Sequence, residues 1–207
     1  MTSIVAFHLN SHILIAADKR AVQINGNTRT VVSDDIDKLI EWHGGVITGA
    51  GNAEMLEHFK FSLQEASVIN SNQILELAKQ TTIQYAHLDK FWFDTTCWYF
   101  TYVAEENGRA VPRLAQISAN ELEIRALEPG SIRVHAKIPN REEFQANIMP
   151  FMQTSNDLDE KSIADSISYH NALMREIFAV CAEQTEDTSE AYDLFFASPR
   201  GSCFISS

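Results

Sequence analysis

MTSIVAFHLNSHILIAADKR, residues Met1 to Arg20, decides the fold. Two runs, Ser3–Leu9 and His12–Ala17, are rich in β-branched and apolar residues, and Asn10–Ser11 is a short turn signal between them. Such a pattern predicts two strands joined as a hairpin. Asp18 ends the second run, and Lys19 and Arg20 follow it directly.

Working outward, Asn25–Gly26 predicts a second turn. Arg29–Val32, Lys38–Trp42 and Val46–Thr48 predict further strands, with Gly44–Gly45 between the last two. From Asn52 to Ala66 the periodicity changes. Met55, Leu56, Phe59, Leu63 and Ala66 recur every three to four residues, which is helical spacing. A second helix carries Leu75, Ala78, Thr82 and Tyr85 on one face, with Asn70 or Ser71 near its cap. Strands return at Thr96–Ala104, Val111–Ser118, Glu121–Leu127 and Ser131–Lys137, with turns at Asn107–Gly108 and Ala119–Asn120. Pro150 limits any helix over Arg141–Asp157. A helix follows through Ile163, Ile167, His170, Met174, Ile177, Phe178 and Cys181, then an acidic run, Glu183–Glu190, expected as a solvated helix end. Strands Tyr192–Ala197 and Ser202–Ile205 close the sequence. Hairpin-like connections with helices interspersed argue for antiparallel sheets in an α+β domain rather than a βαβ fold.

Composition narrows the function classes. The 207 residues suit one domain, and 45% hydrophobic residues argue against disorder. The formal charge is −12, and no Lys/Arg run exists to neutralise phosphates or an anionic bilayer, so nucleic acid and membrane are not expected as partners. No apolar run reaches the roughly 18 residues of a membrane span. The N-terminus has no secretory pattern, and a cytoplasmic location is expected. The cysteines, Cys97, Cys181 and Cys203, are odd in number and lack a CxxC pair, so free thiols are expected. Seven histidines show no HExxH spacing, and no metal site or cofactor is expected. Gly49-Ala50-Gly51 follows a strand and precedes a helix, but Glu54 stands where a dinucleotide motif needs its third glycine. Phe91-Trp92-Phe93 and Trp98-Tyr99-Phe100 are expected in the core at the start of a strand, with a subunit interface the other option.

Chemistry gathers at the front of the chain. Thr2, Asp18 and Lys38 are polar residues among apolar strands. An acid and a lysine in such places are costly to bury unless paired. Removal of Met1 is expected, because Thr2 is small. It would leave Thr2 with a hydroxyl and a free α-amine, whose reference pKa of about 7.7–8.0 suits a general base. Nucleophile and base then belong to one residue. Gly49, at a strand end before a helix, is the first-choice oxyanion donor, since glycine lets its amide approach a carbonyl.

Thr2-Ser3-Ile4-Val5-Ala6, Ala17-Asp18-Lys19-Arg20, Asp37-Lys38-Leu39 and Gly49-Ala50-Gly51-Asn52 together resemble the N-terminal half of a proteasome β-subunit. They are similar, too, to the simpler bacterial relatives of that N-terminal-nucleophile hydrolase family. The resemblance covers roughly the first 65 residues. It implies a four-layer αββα sandwich spanning residues 1–207 as a single domain. It implies a threonine peptidase acting on peptides or unfolded polypeptide, with Thr2 as nucleophile, Asp18 and Lys38 in support and the Gly49 amide on the oxyanion. Arg20 matches the arginine of the family's Asp-x-Arg motif. Subunits are expected in stacked homo-oligomeric rings, with an ATPase unfoldase left open. The C-terminal half departs. No Gly-Ser-Gly stands before the last helix, and Pro129-Gly130-Ser131 lies too early to be assigned. The family's aspartate and serine three residues apart map onto Glu186 and Ser189, followed by Glu190 and Ala191 instead of two glycines. That divergence fits a bacterial proteasome homologue. A catalytically silent ring subunit and a small-molecule amidohydrolase of the same nucleophile class are the alternatives.

Overall fold

The computed structural model describes residues 2–25, 28–136, 142, 144 and 162–206. Strands β1 (Ile4–His8) and β2 (Ile13–Asp18) form the expected hairpin, and every residue of both is buried. They sit at the centre of a five-stranded antiparallel sheet, flanked by β10 (Ser131–His135) on one side and by β11 (Tyr192–Ser198) and β12 (Gly201–Ser206) on the other. The second five-stranded sheet runs β5 (Ile40–Trp42), β6 (Gly45–Ala50), β7 (Cys97–Glu106), β8 (Arg109–Ser118), β9 (Ile124–Ala126). A separate ribbon pairs β3 (Ala21–Asn25) with β4 (Thr28–Ser33). Four helices are described: α1 (Ala53–Glu65), α2 (Ser71–Gln84), α3 (Lys90–Thr95) and α4 (Ile163–Gln184).

Side-chain alternation along the central strands produces the layers, because successive residues face opposite sides of a sheet. Val5, Phe7, Leu14 and Ala16 pack with Leu173, Met174, Ile177 and Phe178 of α4. Their neighbours Ile4, Ala6, Ile13 and Ile15 pack with Val46, Ala50, Tyr99 and Leu114 of the second sheet. On that sheet's other face, Ile47, Trp98 and Phe100 meet Met55, Phe59 and Leu63 of α1 and Ile74 and Ala78 of α2. The order is therefore helix, sheet, sheet, helices: a four-layer αββα sandwich. Local chemistry supports the helices. Asn52 caps α1 by accepting from the Met55 amide, and Asn70 and Gln73 form a reciprocal capping box on α2.

Several expectations change. The strand expected at Lys38–Trp42 begins only at Ile40, leaving Lys38 in a loop. Ala21–Asn25 is a strand that its mixed pattern did not reveal. Phe91-Trp92-Phe93 is not at the start of a strand and not fully in the core: it lies on the short α3, which has no buried residue, with Phe91 57% exposed and Phe93 partly buried against the core. Trp98-Tyr99-Phe100 is buried as expected. The acidic run is not simply a solvated helix end. After α4 stops at Gln184 the chain turns inward, and Asp187, Thr188 and Ser189 are buried. Arg141–Asp157 lies outside the described residues, apart from 142 and 144.

Gly51, just past β6, has φ +122°, a region L side chains rarely adopt. A Cβ there would also overlap the backbone and side chain of Thr96. Gly51→Ala is expected to cost more than about 2 kcal/mol, since strain and overlap add. A urea unfolding curve with unchanged slope and a lower midpoint is the signature; an unshifted midpoint refutes it.

Candidate active site

The β1–β2 register places Ser3 opposite Asp18. The Asp18 amide donates to the Ser3 carbonyl at 3.1 Å, and the Ser3 amide donates to Asp18 Oδ1 at 2.7 Å. Thr2 therefore stands one residue from a carboxylate that is fully buried. That carboxylate is well supplied with donors. Lys38 Nζ donates to Oδ1 at 2.9 Å, and the Arg20 amide donates to Oδ2 at 3.0 Å. Lys38 Nζ also donates to the Arg20 carbonyl at 2.6 Å. A buried ion pair without such supporting bonds would be a net cost. Burial pulls the Lys38 ammonium below the ordinary lysine range, against the opposing attraction of Asp18.

Two basic residues hold the loop that carries Lys38. The Arg20 guanidinium binds both oxygens of Asp34, through Nε at 2.6 Å and Nη2 at 2.9 Å. The Lys19 carbonyl accepts from the Ile36 amide at 3.0 Å. Lys19 Nζ lies 2.9 Å from Asp35 and donates to Ser206 Oγ at 3.2 Å, with Asp37 and Asp193 further out. The contacts with Asp34, Asp35, Ile36 and Asp37 fall on the segment that leads directly into Lys38.

Thr2 and Lys38 line one pocket together with Gly49, Gly51, Leu56 and Trp98, with a cavity volume of about 170 Å³. Its wall is the end of β6 and the start of α1. Strand β5 pairs with β6 no further than Ile40 opposite Ile47, whereas β7 pairs with β6 as far as Ala50. The edge of β6 beyond Ile47 is therefore not taken up by β5, and it passes into the N-terminal turn of α1. Backbone amides at such a place can stabilise a developing negative charge.

The structure thus brings Thr2, Asp18, Lys38 and Gly49 to one end of the sandwich. Glu186 and Ser189 lie differently. Glu186 has an exposed side chain and touches this region through its carbonyl, which accepts from Arg20 Nη1 at 3.1 Å. Ser189 is buried; its Oγ accepts from the Lys19 amide at 3.1 Å and donates to the Ala191 carbonyl at 2.8 Å. Neither lines the pocket. Between them are two residues that sequence reasoning missed. Thr188 Oγ1 is 2.6 Å from Ser3 Oγ, directly behind Thr2, and the buried Asp187 pairs with Arg29. Inside an acidic run nothing in the periodicity marks them, and their partners lie more than a hundred residues away. Among the described residues no cluster of His, Cys, Asp or Glu could hold a metal ion, and no helix is long and apolar enough to cross a membrane.

No family model matches this chain, and neither does any curated protein. Solved structures do match. A Gly-1 mutant of Anbu from Hyphomicrobium sp. strain MC1 superposes with a TM-score of 0.65 at 15% identity, over 100% of this chain and 88% of that one. Anbu from the same strain gives 0.61 at 18% identity, over 99% and 88%. Anbu from Yersinia bercovieri, described as an ancestral beta-subunit, gives 0.62 at 12% identity, over 99% and 87%. The chain has the fold of these proteins from end to end, and at such identities the likeness establishes the fold.

Proposed function

We propose that this chain, which has the Anbu fold, is a proteasome-like threonine peptidase subunit whose nucleophile is Thr2. The observation that carries the proposal is Lys38, which lines one pocket with Thr2 and Gly49 and is paired with the buried Asp18 that also holds the Ser3 amide. Removal of Met1 frees the Thr2 α-amine. That amine takes the hydroxyl proton as Oγ attacks a peptide carbonyl, and the Lys38 ammonium favours the developing alkoxide. The Gly49 amide holds the oxyanion. The C–N bond breaks, the amine proton passes to the departing peptide, and an ester on Thr2 Oγ remains. Water, deprotonated by the same amine, hydrolyses the ester and restores the hydroxyl. Subunits assemble into stacked rings with their threonines facing an inner chamber, a state that light scattering checks.

An electrophile selective for N-terminal threonine should add one mass to the intact protein, and peptide mapping should place it on Thr2. Addition elsewhere, or none to Met-trimmed protein, refutes the assignment. The outward-facing Glu186 favours a competing reading, a catalytically silent subunit on the same fold. Intact mass separates the two, because a retained Met1 blocks the amine.

The rate should follow a bell in pH. The amine must be neutral, so kcat/KM rises through its pKa, about 7.7–8.0 for a reference α-amine. Lys38 must be charged, so the rate falls through its pKa, which burial holds below the ordinary 10.5. With Lys38→Arg the alkaline limb should vanish, because arginine does not titrate there. An alkaline limb that stays in place assigns it to another group.

A further inference from the structure

Trp98 lies in β7 with 1% of its surface exposed, and its indole N–H has no hydrogen-bond partner. Indole nitrogen is a donor only, and a buried tryptophan N–H ordinarily finds an acceptor. Nothing about the ring is loose. It packs against Phe59, tilted by 33° with 5.1 Å between centroids, within the cluster that joins the second sheet to α1 and α2. The orphaned donor is therefore a fixed feature that needs an explanation.

Its position supplies one. Trp98 pairs with Gly49 across β6 and β7, and both line the Thr2 pocket. A Cβ on Gly49 would lie 3.1 Å from Trp98 Cδ1, the ring carbon bonded to the indole nitrogen. The absent side chain leaves the N–H edge of the ring behind the pocket wall. The same Cβ would overlap Leu56 Cδ2, so the end of the half-buried Leu56 side chain fills the space over Gly49. That methyl is the part of the wall a ligand displaces most cheaply, by a rotamer change. Lys60, also on this wall, adds a second donor, its Nζ bound to the Asp37 carbonyl at 3.1 Å.

On the peptidase reading this pocket, beside Thr2, takes the substrate side chain next to the scissile carbonyl; we propose that Trp98 makes it select one ending in an oxygen acceptor, a carboxamide or a carboxylate. The proposal rests on the peptidase reading of Thr2 and adds a substrate class to it. Glutamine and glutamate have the reach and the acceptor. Methionine has similar length and volume but only a weak acceptor, and would leave the indole N–H unpaired. A buried donor satisfied by one substrate and not the other is worth roughly tenfold in kcat/KM.

The test uses Met-trimmed full-length protein and fluorogenic peptides that differ only in the residue preceding the cleaved bond: Gln, Glu, Met or Leu. Wild-type protein should cleave the Gln or the Glu substrate about tenfold better than Met, and the two arms show whether the acceptor is neutral or charged. Trp98→Phe should bring the ratio to Met towards one; because a ratio is read, a general loss of activity does not mimic the result. Equal rates for Gln, Glu and Met with wild-type protein overturn the proposal without any variant. So does an unchanged ratio in a folded Trp98→Phe protein. Cleavage of none of the peptides strikes the peptidase reading itself, and the selectivity falls with it.

Discussion

Thr2→Ala in Met-trimmed protein is expected to lower peptide hydrolysis on the order of a thousandfold or more, to the limit of detection. The expectation is large because hydroxyl and amine would act within one residue. Stability should hardly move. The Ser3 amide, not Thr2, binds Asp18, and Thr2 is only half-buried ahead of β1. A melting temperature close to wild type alongside lost turnover would separate chemistry from folding. Turnover that survives Thr2→Ala removes the nucleophile assignment altogether. Thr2→Ser, which keeps a hydroxyl, should retain part of the rate.

The second large effect concerns folding. Asp18 is fully buried and accepts from the Ser3 amide, the Arg20 amide and Lys38 Nζ. Asp18→Ala strands a largely buried ammonium with the Arg20 carbonyl as its remaining hydrogen-bond acceptor, and it leaves two amides short of an acceptor. Breaking a buried pair from one side costs about 3–5 kcal/mol, a large fraction of a typical domain's 5–15 kcal/mol. A fall in Tm of roughly 6–20 °C follows for a chain of this size. Asp18→Leu combined with Lys38→Met should be less destabilised than Asp18→Ala alone, because no unpaired charge remains. Denaturant melts of the three proteins decide this. If Asp18→Ala melts with wild type, the pair is not a buried element of the fold.

These effects follow from features of very different legibility. The all-apolar β1 and β2 runs, the 3.6-residue rhythm of Met55, Phe59 and Leu63, and the cap at Asn70 or Ser71 were readable because helix, strand and cap signals are local. Asp18 and Lys38 were readable for a related reason: a charge beside apolar strands demands a partner. The short α3, six residues with none fully buried, had no rhythm to read. Strand β3 was hidden too, since a two-stranded ribbon outside the main sheets buries little.

Asp187, Thr188 and Trp98 show where local reading stops. Sequence alone determined that this chain builds antiparallel sheets with flanking helices, and that Thr2, Asp18, Lys38 and Gly49 are the residues to watch. Only the tertiary structure decided which faces the sheets turn towards each other, how an acidic run becomes a buried backing for Ser3, and that Trp98 lines the Thr2 pocket with its indole N–H buried and unpaired. The physical reason is distance along the chain. Ser3 meets Thr188 across 185 positions. The burial and partner of a polar group are settled when the sheets close, not by its neighbours in sequence.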